Sequence, residues 1–310
     1  MEVTKPQSKI KSETIEKYVF ALSLGLTVLI FLLVSLGGLV RGAGAGLSCP
    51  DWPLCHGQAM PSQMFEKTAH VSGQAPAQIF LEWFHRMIAG SVSIGLLVLS
   101  IVVFTNEKLR ARAGKTCGIA IALLMSQVVL GGMTVLGLLS PKWVVSHLAV
   151  GLAFFSVMLW ITLSLKETTS VDKSKFALIT LLTLYVQIIL GGLVSSNYAG
   201  LACADFPTCN GDLIPPFEGL VKFQFMHRLG ALISTVVLLA FSAKTLASKV
   251  SGMTKTAAVA LPTLLFVQVA LGIGMIYFTL PLLMSVAHLA VATAMLGATV
   301  ILVFKMRSAV

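Results

Sequence analysis

The chain has 310 residues, of which 56% are hydrophobic and 11% charged, with a mean hydropathy of +0.92. That composition excludes a soluble globule, which needs far more polar surface, and marks a polytopic membrane protein. The net charge of +10 then reflects topology and contact with anionic lipid heads rather than nucleic acid.

Residues 1–17 mix lysines with Glu2, Glu13 and Glu16, which reads poorly as an Arg-rich transit peptide and predicts a cytoplasmic N-terminal segment. A membrane-spanning helix takes about 20 apolar residues, and eight stretches qualify: 18–40, 82–104, 117–139, 142–165, 175–196, 224–245, 256–279 and 281–304. Each is expected to be a helix, because a helix satisfies its own backbone hydrogen bonds in lipid. The connections on one side hold only Arg41, Lys67, Lys142 and Lys222, and nearly all other Lys and Arg lie on the opposite side. By the positive-inside rule both termini are cytoplasmic. The expected home is a bacterial plasma (inner) membrane.

The spans form a duplication. Residues 36–57, LGGLVRGAGAGLSCPDWPLCHG, align without a gap to 190–211, LGGLVSSNYAGLACADFPTCNG. His85 in F-H-R pairs with His227 in M-H-R, His147 in S-H-L-A-V with His288 in A-H-L-A-V, and Gln127 with Gln268 in Q-x-x-L-G. The fold class expected is therefore an all-α integral membrane protein, eight transmembrane helices arranged as two tandem four-helix bundles. Four spans return the chain to its starting side, so the pseudo-two-fold axis should run along the membrane normal. The units are 18–165 and 175–304, joined by a cytoplasmic linker at 166–174 and followed by a cytoplasmic tail at 305–310. Half one carries a 12-residue longer loop between its second cysteine and first histidine.

Cys49 and Cys55, and Cys203 and Cys209, fall in outer loops, where an oxidising space favours the disulfides Cys49–Cys55 and Cys203–Cys209. A staple that orders each loop is favoured over a redox-active pair. Cys117 reads as an inert apolar residue.

His85 and His227 lie near the outer ends of spans 2 and 6, and His147 and His288 six or seven residues after Pro141 and Pro281. An ionisable side chain at that depth is costly and demands a partner. Four at matching depth, without the additional Cys, His or carboxylate that zinc or copper would bring, point to one flat iron macrocycle gripped by two imidazoles in each half. Core histidines bonded to backbone are the bland alternative. Arg86 and Arg228 follow the ligand candidates directly and suit either a propionate fork or a snorkel to lipid phosphate. Glu82 stands one helical turn before His85, where half two has Gln224, so a carboxylate that handles protons in half one competes with a solvated helix-start Glu. His56 and His70 read as solvated loop histidines, and Trp52, Trp83 and Trp143 as interfacial aromatics.

The eight-span duplicated layout, the paired loop cysteines, LEWFHR at 81–86 and the two H-L-A-V histidines resemble haem A synthase over residues 18–304. The resemblance implies oxidation of the C8 methyl of haem O to a formyl group by successive oxygen-dependent hydroxylations and loss of water, giving haem A for terminal oxidases. It further implies a haem B cofactor between His227 and His288, substrate haem at His85 and His147, and Glu82 as the motif glutamate. Haem O synthase as supplier and an unidentified electron donor follow as partners. The longer first loop, with Phe65, His70 and Phe80, departs from the pattern and is a candidate cap or homo-oligomer contact. The rivals are a bis-histidine b-type cytochrome for membrane electron transfer, a membrane haem carrier and a disulfide-exchange enzyme.

Overall fold

Eight long apolar helices account for most of the residues described in the computed structural model, which covers residues 5–59, 75–166 and 174–305, with side chains from Glu13 onward. They are α1 (Lys5–Gly42), α2 (Pro76–Thr105), α3 (Glu107–Leu136), α4 (Pro141–Lys166), α5 (Lys175–Ser196), α6 (Val221–Ala247), α7 (Gly252–Tyr277) and α8 (Leu282–Lys305). All eight are long and apolar enough to cross a membrane. Among the described residues β-structure is confined to two isolated bridges in the loops.

Three helices, α1, α2 and α3, begin well before the predicted apolar stretches. Asn106 caps α3, its side chain accepting from Leu109 N, so the charged run after it is helical before it reaches the apolar zone. Ahead of α2, the Pro76 ring sits at the helix start, where its missing N–H costs nothing. Hydropathy registers the lipid-matched part of a helix and not its capped ends.

Within each half the helices close a ring: α1 packs on α2 and α4, and α3 on α2 and α4, while α5 packs on α6 and α8, and α7 on α6 and α8. The halves meet through α1 with α8, α4 with α5, and α4 with α8. Glycines permit this close approach, as small residues do between membrane helices. A Cβ on Gly38 would stand 2.8 Å from Leu289, and one on Gly192 would stand 2.6 Å from Leu148. These two contacts are equivalents under the duplication. A polar tie between the halves adds to them, Tyr185 Oη donating to Ala149 O at 2.7 Å, while within half one the Thr27 and Thr162 hydroxyls lie 3.0 Å apart. Consequently α4 and α8 are the most buried helices and the others turn apolar faces outward.

One end of the bundle carries the disulfide loops. At the other, Glu16 on α1 pairs with Lys108 (2.7 Å) and Arg112 (3.5 Å) at the start of α3. Cys117 is buried, 3.3 Å from Ser100 Oγ.

Candidate functional site: four histidines beneath two disulfide loops

The two loops fold alike. Cys49–Cys55 and Cys203–Cys209 are disulfides with Cα separations of 4.7 and 4.5 Å, within the range such a bond requires. In each, a two-residue turn follows the second cysteine, His56-Gly57 or Asn210-Gly211, with positive φ at both positions. Paired backbone bonds flank it, Cys55 with Gln58 and Cys209 with Asp212. Asn-Gly is the favoured sequence for such a turn. His56 substitutes for the asparagine: its Nε2 lies 2.8 Å from Ser48 O, and Asn210 Nδ2 donates to Ala202 O at 2.9 Å. His56 thus serves the loop. His70 and Phe65, in the longer first loop, lie outside the described residues.

Asp51 accepts from the backbone N–H groups of His56 (2.6 Å) and Gly57 (2.7 Å), as Asp205 does from Asn210 (2.5 Å) and Gly211 (2.9 Å). Both carboxyls are held below their ordinary range. For Asp51, burial pushes upward but is outweighed by the Gly57 and His56 amides and by Arg86. For Asp205 the Thr208 hydroxyl leads, followed by the amides.

Arg86 and Arg228 point into these loops. Arg86 donates to the carbonyls of Asp51 (2.6 Å), Leu54 and Cys49 (2.9 Å), and pairs with Glu82 Oε1 at 2.6 Å. Arg228 donates to Thr208 O (2.6 Å) and Cys203 O (3.0 Å). In this structure both guanidinium groups clamp a disulfide loop onto the helix that bears a histidine, a use not anticipated from sequence. Glu82 is buried, not solvated at a helix start; its Oε2 accepts from Cys49 N at 2.8 Å. Gln224, at the matched place, instead donates to Gly200 O at 3.2 Å. Trp83 Nε1 donates to Ala59 O at 2.9 Å, and Trp52 packs on Gly132, where a Cβ would stand 3.1 Å from its ring. These tryptophans pack the loops as well as lining an interface.

Beneath the loops each histidine stands against a glycine of the preceding helix. A Cβ on Gly37, Gly131, Gly191 or Gly272 would lie 3.3, 3.4, 3.1 or 3.2 Å from Cε1 of His85, His147, His227 or His288 respectively. Within each half, the imidazoles come from alternate helices, α2 and α4 or α6 and α8. Each is only partly buried, although Nδ1 of His85, His147 and His288 is buried and without a protein partner. What stays open is the side of the ring away from Nδ1. His227 and His288 have ring centroids 6.4 Å apart. Two imidazoles bound to opposite faces of one metal at about 2 Å per bond would have centroids roughly 6 Å apart. Among the described residues no group of three His, Cys, Asp or Glu could hold a metal ion, so a two-imidazole site suits a metal that arrives with its other ligands, as in a porphyrin. The residues fit such a group.

Two glutamines complete the site. Gln127 Nε2 donates to His147 O at 2.8 Å; Gln187 Nε2 donates to His227 O at 3.0 Å and lies 3.1 Å from His227 Nδ1. Gln127 stood out in the sequence as half of the repeated Q-x-x-L-G motif; Gln187 heads a third copy, Q-I-I-L-G at 187–191, which pairing the two halves passed over because its partner position in half one is Leu33.

Residues 21–300 match the family described as cytochrome oxidase assembly protein (COX15-CtaA). The chain belongs to this family. Among its relatives is a protein of Shewanella oneidensis named heme A synthase, 33% identical over 84% of this chain and 88% of its own length. Relatives of the same name come from Bacillus licheniformis (31% identical over 67% of this chain and 69% of its own length) and Nitrosomonas eutropha (27% over 87% and 88%). For a cytochrome oxidase assembly protein of this family, eight spans and paired loop disulfides agree with the multi-pass membrane architecture expected from the sequence.

Proposed function

We propose that this protein makes haem A from haem O, converting the C8 methyl to a formyl group through two hydroxylations, each consuming one O2, two electrons and two protons, followed by loss of water. The observation that carries the reading is the His227–His288 pair, 6.4 Å apart over glycine-floored walls, in a chain similar to heme A synthases over most of its length. His227 and His288 would hold haem B as a resident electron relay, and His85 and His147 the substrate haem. A haem held by two imidazoles supplies one-electron transfer and has no open position for oxygen.

The residues of the chain do the rest. The paired histidines orient a macrocycle in each half, with the glycines letting it approach the helix walls. Glu82, one turn before His85 and charge-compensated by Arg86, is assigned the proton at its carboxylate oxygens, a task Gln224 cannot perform in half two. Arg86 and Arg228 fix the disulfide loops over the pockets and keep bulk water out. The two units, 18–165 and 175–304, would be related by a pseudo-two-fold axis along the membrane normal, which the matched Gly38–Leu289 and Gly192–Leu148 contacts support. Both termini would be cytoplasmic, the histidines near the outer face, haem O synthase the supplier of substrate and a separate protein or quinol the electron donor.

Reconstituted protein given haem O, a reductant and oxygen should yield haem A or a hydroxylated intermediate by extraction and chromatography. Recovery of unchanged haem O alone would overturn the reading in favour of a cytochrome or carrier.

A further inference from the structure

We infer that His85 is the releasable member of the half-one histidine pair, and that Leu33 makes it so. The inference rests on the proposed ligation of one haem in each half. Three histidines face a helix that carries glutamine one turn before the abutting glycine: Gln127 before Gly131 for His147, Gln187 before Gly191 for His227, and Gln268 before Gly272 for His288. Gln127 and Gln187 donate across to the backbone carbonyl of the facing histidine, at 2.8 and 3.0 Å. Such interhelical hydrogen bonds tie membrane helices together where hydrophobicity alone cannot. The fourth glycine, Gly37 against His85, is preceded by Leu33. Leucine has no hydrogen to donate.

The turn bearing His85 is anchored differently. Glu82 accepts from Cys49 N, and Arg86 donates to the carbonyls of Cys49, Asp51 and Leu54. His85 is therefore flanked by two side chains fastened to the disulfide loop and lacks the glutamine tie to its neighbouring helix. Its turn can shift with that loop, whereas the His147 backbone is tied to the facing helix through the Gln127 bond to its carbonyl. His227 carries both kinds of anchor, through Arg228 and Gln187. Half one thus has one fixed and one releasable donor, as a haem that must enter, react at an open position and leave requires. In half two His227 is held on both sides, and Gln268 stands at the matched place before the glycine that abuts His288.

The test uses full-length protein loaded anaerobically with haem O in half one and haem B in half two, reduced, and mixed with carbon monoxide. Absorption spectroscopy follows binding at each haem. In the wild type, carbon monoxide should bind at half one alone. Leu33→Gln should retain both haems and slow that binding at least tenfold, and Gln187→Leu should make half two reactive at a rate at least tenfold above its wild-type value. His85→Ala should keep the half-one haem in a high-spin form, and His147→Ala should lose it. Unchanged carbon monoxide kinetics in Leu33→Gln, or retention of haem by His147→Ala with loss by His85→Ala, would overturn the inference. If Leu33→Gln fails to fold, Gln187→Leu and the histidine pair decide. A wild-type protein that takes up one haem only would sink the ligation reading of half one and this inference with it, whereas two bound haems with unchanged kinetics would sink the inference alone.

Discussion

Arg86 lies 2.9 Å from the carbonyl of Cys49, so the residue next to a candidate iron ligand holds the first cysteine of a disulfide loop. Arg228 repeats the contact with Cys203 at 3.0 Å. Loop and pocket are therefore one mechanical unit in each half. Replacing Arg228 by Lys removes the fork that reaches two carbonyls at once, and hydrogen bonds to a charged group are worth about 1.5–3 kcal/mol each. Arg228→Lys should lower thermal stability and speed protease cleavage in residues 197–220, read by limited proteolysis. An unchanged cleavage pattern would show that the clamp contributes nothing.

Glu82→Gln should abolish haem A formation and leave the half-two haem bound. Gln224 shows that an amide fits the matched place, so the change tests proton handling more than packing. Pigment extraction and chromatography give the answer, and a normal yield of product would remove Glu82 from the chemistry.

A methyl group on Gly191 would lie 3.1 Å from the His227 ring and one on Gly272 would lie 3.2 Å from His288. Overpacking of this kind costs about 1–3 kcal/mol. Gly191→Ala and Gly272→Ala should each reduce bound haem several-fold, measured as haem per protein. Gly118, which meets nothing within 4 Å, supplies the control: Gly118→Ala should bind haem normally and gain up to about 1 kcal/mol from helix propensity.

Opening either disulfide should loosen its loop by about 2 kcal/mol, the chain-entropy value for so short a ring. Cys203→Ser with Cys209→Ser should lower the melting temperature while leaving the haem spectrum in place. Loss of all activity with an intact fold and spectrum would instead favour redox chemistry at the cysteines.

Asp51 and Asp205 make the loops acid-sensitive. Both carboxyls titrate lower in the folded loop than in the unfolded chain, so their contribution is complete above the ordinary carboxylate range and is lost as pH falls through the depressed folded value. Loop protection against protease should drop below about pH 4, and Asp51→Asn should remove that dependence in half one. A flat profile in the wild type would contradict the assignment.

Periodicity and repeats carried the fold: apolar length located all eight helices, and the 36–57 to 190–211 match located the loops. The four histidines were legible because costly residues at matched depth stand out in an apolar background. What escaped notice were contacts without a compositional signature. For Glu82 a proton-handling and a solvated helix-start carboxylate stood level in the sequence, because its hydrogen-bond partner, Cys49 N, is a backbone group. Arg86 suggested anionic partners because backbone carbonyls cannot be read from side-chain chemistry. Gln187 heads a third Q-x-x-L-G, at 187–191, and was passed over because matching half against half highlights what is shared, and its counterpart is Leu33.

Near the disulfide loops, Arg41 of half one stacks 4.3 Å over the Tyr198 ring of half two, donates to its hydroxyl at 2.9 Å and reaches Ser195 O at 3.1 Å. At the opposite end of the bundle α4 ends at Lys166 and α5 begins at Lys175, so the halves are held near both poles. A rocking carrier has to part its halves at alternate faces; this one would have to tear a cation from an aromatic ring on every cycle. The two halves thus make one frame, within which only local parts such as the His85 turn and its loop have room to give.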